Sequence, residues 1–312
     1  MAVSDGTALP PGLVRQAFVG LVNDNPQQAF ADTACREVPV TDTDGNATII
    51  PSVSTLPRNH DTGLPEGATP ETRSTKGIKL PYSLLRYMGI SSITAGDKQD
   101  FTSRGYDAAQ EELALAWQEA NTKLDLRLEK VLEDTESNET FDVDGDGGGQ
   151  WNTATNNPFG DIRTVLREVC PGADTVIYGR KIRDTLAQNS NFIAESSQFD
   201  AGAIGEDEVS QMIVNKIGDI TRALFFDSFY ELAPDKDGLG DERQHIFDTG
   251  LWVGYGDHLA KFEMRGSELE SPRLITDEDK LAEVEYYGVV RRCDIRRGDE
   301  AKGVTFTNIL NG

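Results

Sequence analysis

An α+β fold is predicted by three features of the sequence. A run from Ser103 to about Glu133 has helical spacing, roughly 45 proline-bearing residues before it cannot hold a helix, and the closing segment is rich in β patterns. In the helical run, Tyr106, Ala109, Leu113, Trp117, Ala120, Leu124, Leu128 and Val131 fall three or four apart and share one face. At 1.5 Å per residue the run is about 45 Å long, more than a small domain is wide, so it must lie across something larger than itself. Its apolar face is expected on a β segment near Leu281–Arg291. Its acids, Asp107, Glu111, Glu112, Glu119, Asp125, Glu129 and Glu133, are expected to face away from that packing.

The proline-bearing stretch runs from Glu37 to Pro81, with prolines at 39, 51, 57, 65, 70 and 81 and glycines at 45, 63, 67 and 77. Within it Val38 and Val40 precede Asp44-Gly45, after which Ala47, Ile49, Pro51 and Val53 alternate, so a hairpin with an Asp-Gly turn is predicted. Compact domains seldom hold irregular loops beyond about 12–15 residues. A disordered linker has no use for Ile49, Ile50, Val53, Leu56, Ile78 and Leu80, so the stretch is expected to be held by a partner. Residues 1–35 are small and polar, with one apolar patch at Leu13–Leu21, and read as an arm. Tyr82–Ile93 reads as a strand.

After the long run, Asn138–Asn157 is a polar, glycine-rich break that reads as a domain boundary. Helices are then predicted near Asp161–Val169, Arg180–Gln188 and Glu206–Lys216, and strands at Thr175–Tyr178 and Ala223–Phe229. The last quarter reads as β at Leu251–Tyr255, Ala260–Met264, Leu281–Arg291 and Val304–Ile309. No internal repeat is present.

The 312 residues, 38% hydrophobic, suffice for two domains with proper cores. With 53 acids against 30 bases the net charge is −23, which argues against general affinity for nucleic acid or anionic membranes. Such a surface suits a salted medium that screens self-repulsion. Cys35, Cys170 and Cys293 are odd in number and far apart, suggesting neither a disulfide framework nor zinc. No apolar run reaches the roughly 18 residues of a membrane span, and the first 20 residues lack a signal peptide's basic start.

The strongest ion-binding pattern is Asp142-Val-Asp144-Gly-Asp146-Gly147, which alternates oxygen ligands as calcium loops do. Its twelfth position is Thr153 where a bidentate Glu is required, so an acidic turn is the better account. Asp42 with Asp44, and Asp235 with Asp237 and Asp241, are weaker still. His60, His245 and His258 lie in no metal or nucleophile motif, and Asp257-His258 after Gly254-Tyr-Gly256 reads as a turn between strands. Gly145–Gly149 lacks the Lys-Ser/Thr of a phosphate loop. No catalytic residues and no cofactor are expected. Trp117, and the run Phe225, Phe226, Phe229 and Tyr230, read as core.

Gly149-Gln-Trp151-Asn through Pro158-Phe-Gly160-Asp161-Ile162 is similar to the Trp-then-Pro-x-x-Asp-Ile stretch that opens the axial domain in one branch of a phage family. Pro171-Gly-Ala-Asp-Thr175-Val-Ile-Tyr-Gly179-Arg180, followed by Ile182-Arg-Asp-Thr-Leu186, is similar to its strand-glycine-helix signature. With the element order, these make the chain resemble the tailed-phage major capsid proteins of the Hong Kong ninety-seven type, over about residues 25–310.

The resemblance implies an N-terminal arm (1–35), an extension loop (36–80), a peripheral domain (81–140 and 251–296) built on a spine helix at 103–133, and an axial domain (141–250 and 297–312). Spine-helix core positions are then Tyr106, Leu113, Trp117, Leu124, Leu128 and Val131. Val38, Val40, Ile49, Ile50, Val53, Leu56, Ile78 and Leu80 become expected inter-subunit contacts, since unsatisfied apolar surface must be buried on neighbours.

The implied function is structural. Copies assemble into the pentamers and hexamers of an icosahedral virion shell that encloses DNA without reading its sequence, built in the host cytoplasm. Some relatives carry a long helical scaffolding segment at the N-terminus. Only about 35 non-helical residues precede the loop here, so a separate scaffold protein is expected, besides a portal and a decoration protein. The acidic surface suits a shell lining that repels packed DNA. Two competing readings are an acidic calcium-dependent binding or adhesion protein using the Asp/Gly loops, and an enzyme working through Asp257-His258.

Overall fold

The computed structural model describes residues 28–49, 78–103, 107–136, 138–153, 156–195, 206–231, 243–264, 273–279, 284–298 and 303–310. Its elements in chain order are α1 (Phe30–Ala34), β1 (Arg36–Val40), β2 (Asp44–Ile49), β3 (Ile78–Ser83), β4 (Leu85–Thr94), α2 (Ala95–Ser103) and α3 (Ala108–Glu133). Next come β5 (Glu139–Asp142), α4 (Pro158–Thr164, continued by a π turn through Val169), β6 (Thr175–Tyr178), α5 (Arg180–Gln188), α6 (Ser190–Glu195) and α7 (Glu206–Lys216). The rest are β7 (Arg222–Phe225), β8 (Phe229–Glu231), β9 (Arg243–His245), β10 (Leu251–Gly254), β11 (Leu259–Met264), β12 (Arg273–Asp279), β13 (Val284–Arg297) and β14 (Val304–Thr307).

The long helix starts at Ala108 because Asp107 caps it, its carboxylate accepting from the N–H groups of Ala109 and Gln110. Its 26 residues span about 39 Å. At its other end the Asn138 side chain donates to the carbonyls of Val131, Leu132 and Asp134, which have no partner in the helix itself. The predicted start at Ser103 falls instead at the end of the separate helix α2.

In the first sheet β13 is the centre. β4 pairs along one edge of it, β11 and β12 take successive parts of the other, and β1 joins β11 in parallel. The first half of α3 lies on this sheet, where Leu113, Ala116 and Trp117 pack with Ile93, Tyr287 and Val289. Small residues bring helix and strand together. A Cβ at Gly89 of β4 would sit 1.8 Å from the Ala116 carbonyl oxygen, so only glycine fits.

The second sheet has the order β5-β14-β10-β6-β7 and carries α4 to α7, with Trp151, Phe159, Phe192 and Phe306 in its core. The second half of α3 fills the seam between the two sheets: Leu124, Leu128 and Leu132 meet Ile177 and Trp252 of one and Cys293 and Ile295 of the other. Asn138 ties the joint, its side-chain oxygen accepting from Trp252 Nε1 at 3.2 Å and from Arg297.

Several expectations are corrected. The predicted hairpin does not form: β1 pairs with β11, and Asp44-Gly45 open strand β2, which pairs with β3 in the register Asp44↔Ser83 to Ile49↔Ile78. Long-range partners outcompete the local turn signal. β10 lies in the second sheet, so the chain crosses to the first after Gly254 and not at residue 250. Within the supposed break, Glu139–Asp142 is a strand, parallel to β14. Two acids of the long helix, Glu112 and Asp125, are buried.

Candidate assembly site

The last residues of the expected arm, 30–34, are bound to the body by contacts with charged side chains. The helix α1 presents its first N–H groups to a carboxylate of the long helix: Phe30 N lies 3.1 Å from Asp125 Oδ2 and Ala31 N 2.9 Å from Asp125 Oδ1. Ser228 Oγ donates to the same carboxylate at 2.6 Å, and Phe30 stacks on Phe226 at 4.2 Å. Burial pushes the Asp125 carboxyl up to about 6, against the pull of these three donors.

One turn further on, Asp32 enters a buried cluster with Lys261 and Glu263 of β11 and Arg291 of β13. Arg291 grips Asp32 with two nitrogens at 2.8 and 3.0 Å, reaches Glu263 at 3.2 Å and Asn121 at 2.8 Å, and stacks 5.4 Å over the Trp117 ring. Lys261 bonds Asp32 and lies 2.7 Å from Glu263. Two cations and two anions close the cluster neutrally. Burial raises the Asp32 carboxyl, but the Arg291 hydrogen bond and charge, with Lys261, overcome it and hold Asp32 below its ordinary value. Lys261 is likewise lowered by burial yet raised on balance by Glu263 and Asp32.

The expected inter-subunit residues divide into groups. Val40 and Leu80 are buried beside Tyr82, Ala260 and Phe262 of the same chain, Val38 packs against that cluster, and Tyr82 stacks on Phe262 at 5.0 Å. Ile49 and Ile78 pair at the far end of the β2–β3 ribbon. Ile50, Val53 and Leu56 lie outside the described residues. On the long helix Leu113, Trp117, Leu124 and Leu128 are buried, Val131 is half-buried while Leu132 takes the core position, and Tyr106 lies outside the described residues.

Asp142 folds back on its own loop, its Oδ1 accepting from Asp144 N and Gly145 N, and a hydrogen bond from Asn308 helps hold its pKa low. Asp144 and Asp146 are exposed, and Asp161 closes the loop by accepting from Gly148 N and Trp151 Nε1. Among the described residues no group of three His, Cys, Asp or Glu is placed to hold a metal ion. Asp44 lies in β2, and Asp235, Asp237 and Asp241 lie outside the described residues. Asp257-His258 forms a single 3-10 turn between β10 and β11, with His258 buried against Tyr255. Cys35, Cys170 and Cys293 are buried free thiols.

On the face of the first sheet away from α3, the half-exposed side chains of Met88, Ile90 and Tyr286 form an apolar patch, with Arg86 and Arg292 next along the same strands. Among the described residues no helix is long and apolar enough to cross a membrane.

No protein-family model matches the sequence, and no curated protein matches it. Solved structures do. A phage-related protein from Bordetella bronchiseptica RB50 has 12% identity and a TM-score of 0.62, over 96% of this chain and 98% of that one. A structure of the satellite phage P4 procapsid, which includes its size determination protein, has 13% identity and a TM-score of 0.52 over 99% and 94%. The putative capsid protein of an Escherichia coli CFT073 prophage has 14% identity and a TM-score of 0.50 over 94% and 98%. The fold of this chain is therefore that of phage capsid proteins, in agreement with the Hong Kong ninety-seven type resemblance.

Proposed function

We propose that the chain is the major capsid subunit of a tailed phage, a structural protein that assembles with copies of itself into the pentamers and hexamers of an icosahedral shell around DNA. The observation that carries this reading is a phage-capsid fold shared along nearly the whole chain, not one domain of it. In this reading the first sheet with α3 is the peripheral domain, the second sheet with α4 to α7 is the axial domain, and the β2–β3 ribbon bears the extension loop. The end of the arm is α1, which the Asp125 and Asp32 contacts hold to the body. Ile50, Val53, Leu56 and the Met88–Ile90–Tyr286 patch are surfaces for neighbouring subunits.

A separate scaffold protein, a portal and a decoration protein complete the particle, and the −23 charge keeps enclosed DNA from adhering to the wall. Sedimentation of the purified chain, alone and with the candidate scaffold, tests the proposal. Discrete species at five and six subunits, passing to closed shells, are expected; a monomer at every concentration and salt contradicts it.

A further inference from the structure

Three buried polar atoms of the first sheet and the long helix have no hydrogen-bond partner among the described residues: the hydroxyl of Tyr87, Nε of Arg127 and Oδ1 of Asp294. Buried groups are rarely left so, because each then carries its full desolvation cost. The three lie together. β4 pairs with β13 from Thr94↔Val284 to Leu85↔Cys293, so Asp294 is the first residue of β13 past the end of β4. Arg127 of α3 comes to this point, its Nη2 3.7 Å from Asp294 Oδ1, too far for a hydrogen bond. Tyr87 packs in the same core as Leu124, Leu128 and Cys293. Burial first, then Cys293, pushes the Tyr87 pKa up, and Arg127 and Asp294 are near enough to act on it as well. The hydroxyl therefore keeps its proton and can donate it. The other oxygen of Asp294 is occupied, accepting from Ser83 N at 3.1 Å and from Arg296 Nε at 2.6 Å. Ser83 ends β3, so Asp294 holds the root of the β2–β3 ribbon.

We propose that Tyr87, Arg127 and Asp294 hold one ordered water molecule, which links the root of the β2–β3 ribbon to the long helix and to β4. The count of donors and acceptors selects that ligand. Tyr87 and Arg127 each offer one hydrogen and Asp294 offers one acceptor; a water accepts two hydrogen bonds and returns one, the three bonds usual for buried water. An anion would accept from both donors but face the Asp294 carboxylate, and a metal cation would face the Arg127 guanidinium. Solvent has a way in. A cavity of about 280 Å³, lined by Leu80 and Pro81 of the ribbon, Arg127 and Val131 of α3, and Ile295 and Arg296 of β13, adjoins the three atoms and shares Arg127 with them. Nothing in this arrangement needs a second copy, so it is independent of the shell reading.

A crystal structure of the purified subunit, at a resolution that shows ordered water, is expected to place one water within about 2.7–3.2 Å of Tyr87 Oη, Arg127 Nε and Asp294 Oδ1. Hydrogen exchange at the Ser83 amide reads the link to the ribbon. Tyr87→Phe keeps the ring and removes one donor. It is expected to lose the water and speed exchange at Ser83 roughly tenfold, with exchange in β6 unchanged; Arg127→Met acts in the same direction. A map with no water at the three atoms, with an ion there instead, or with Arg127 Nε bonded directly to Asp294, overturns the inference, and the wild-type map decides this whatever the stability of the variants. A Ser83 amide that exchanges at the wild-type rate in Tyr87→Phe also overturns it, as does an equal rise in β6, which would mark a general loosening of the subunit.

Discussion

Arg291 holds together parts of the chain that are far apart in sequence: Asp32 in α1, Asn121 and Trp117 on the long helix, and Glu263 on β11. Removing one member of such a cluster leaves buried charges without a counter-charge, a costlier change than losing the contact itself. Arg291→Leu is therefore expected to destabilise the subunit by about 3–5 kcal/mol, read as a lower urea midpoint at unchanged slope. Asp125 acts with the opposite pH sign to Asp32. Its carboxyl is raised from 3.8 to about 6, so the folded state holds a proton that the unfolded state releases, and this contribution to stability falls as pH rises between those values. Asp32 is held low, so its contribution is present above 3.8 and is lost as pH falls below it. Asp125→Asn is expected to remove the downward slope of stability from about pH 4 to 6, measured by urea titration at stepped pH; an unchanged slope would show that the carboxyl is not held in this way.

The long helix shows what local patterning reveals and what it omits. Three- and four-residue spacing marks the buried face at Leu113, Trp117, Leu124 and Leu128, and the strand Thr175–Tyr178 and helices Arg180–Gln188 and Glu206–Lys216 end where their sequence patterns end. Pairings across the chain are not legible in this way. Nothing near Arg36–Val40 indicates that it pairs with Leu259–Met264, so a nearby Asp-Gly turn drew a false hairpin. Their charge alone predicts Glu112 and Asp125 on the outside. They are inside because Ser91, and the backbone of α1, supply donors from other elements. The same holds for the anchoring cluster: Asp32, Lys261, Glu263 and Arg291 are ordinary surface residue types until the fold brings them together. Gly89 is a further case, a strand glycine whose reason lies in the Ala116 backbone. Gly89→Ala is expected to push the helix off the sheet and cost about 2 kcal/mol or more, seen as a lower thermal midpoint by circular dichroism.

At the scale of the molecule, a long helix spans one sheet and then fills the seam with a second, so the two halves of the subunit are braced by one element. The described residues form several cores and buried ion pairs. Among the described residues the first sheet leaves the apolar patch of Met88, Ile90 and Tyr286 exposed, while Ile50, Val53 and Leu56 lie outside the described residues. Burial of that patch on another copy is a physical reason for assembly beside the shared fold, and the net charge of −23 makes high ionic strength the condition that favours it. Cryo-electron microscopy of particles assembled from the purified chain and its scaffold tests this most directly. Closed icosahedral shells are expected, their wall built of this two-sheet subunit, with residues 50–77 of each copy lying on a neighbour. Subunits that stay monomeric, or particles in which each copy's 50–77 segment packs on its own body, would contradict it.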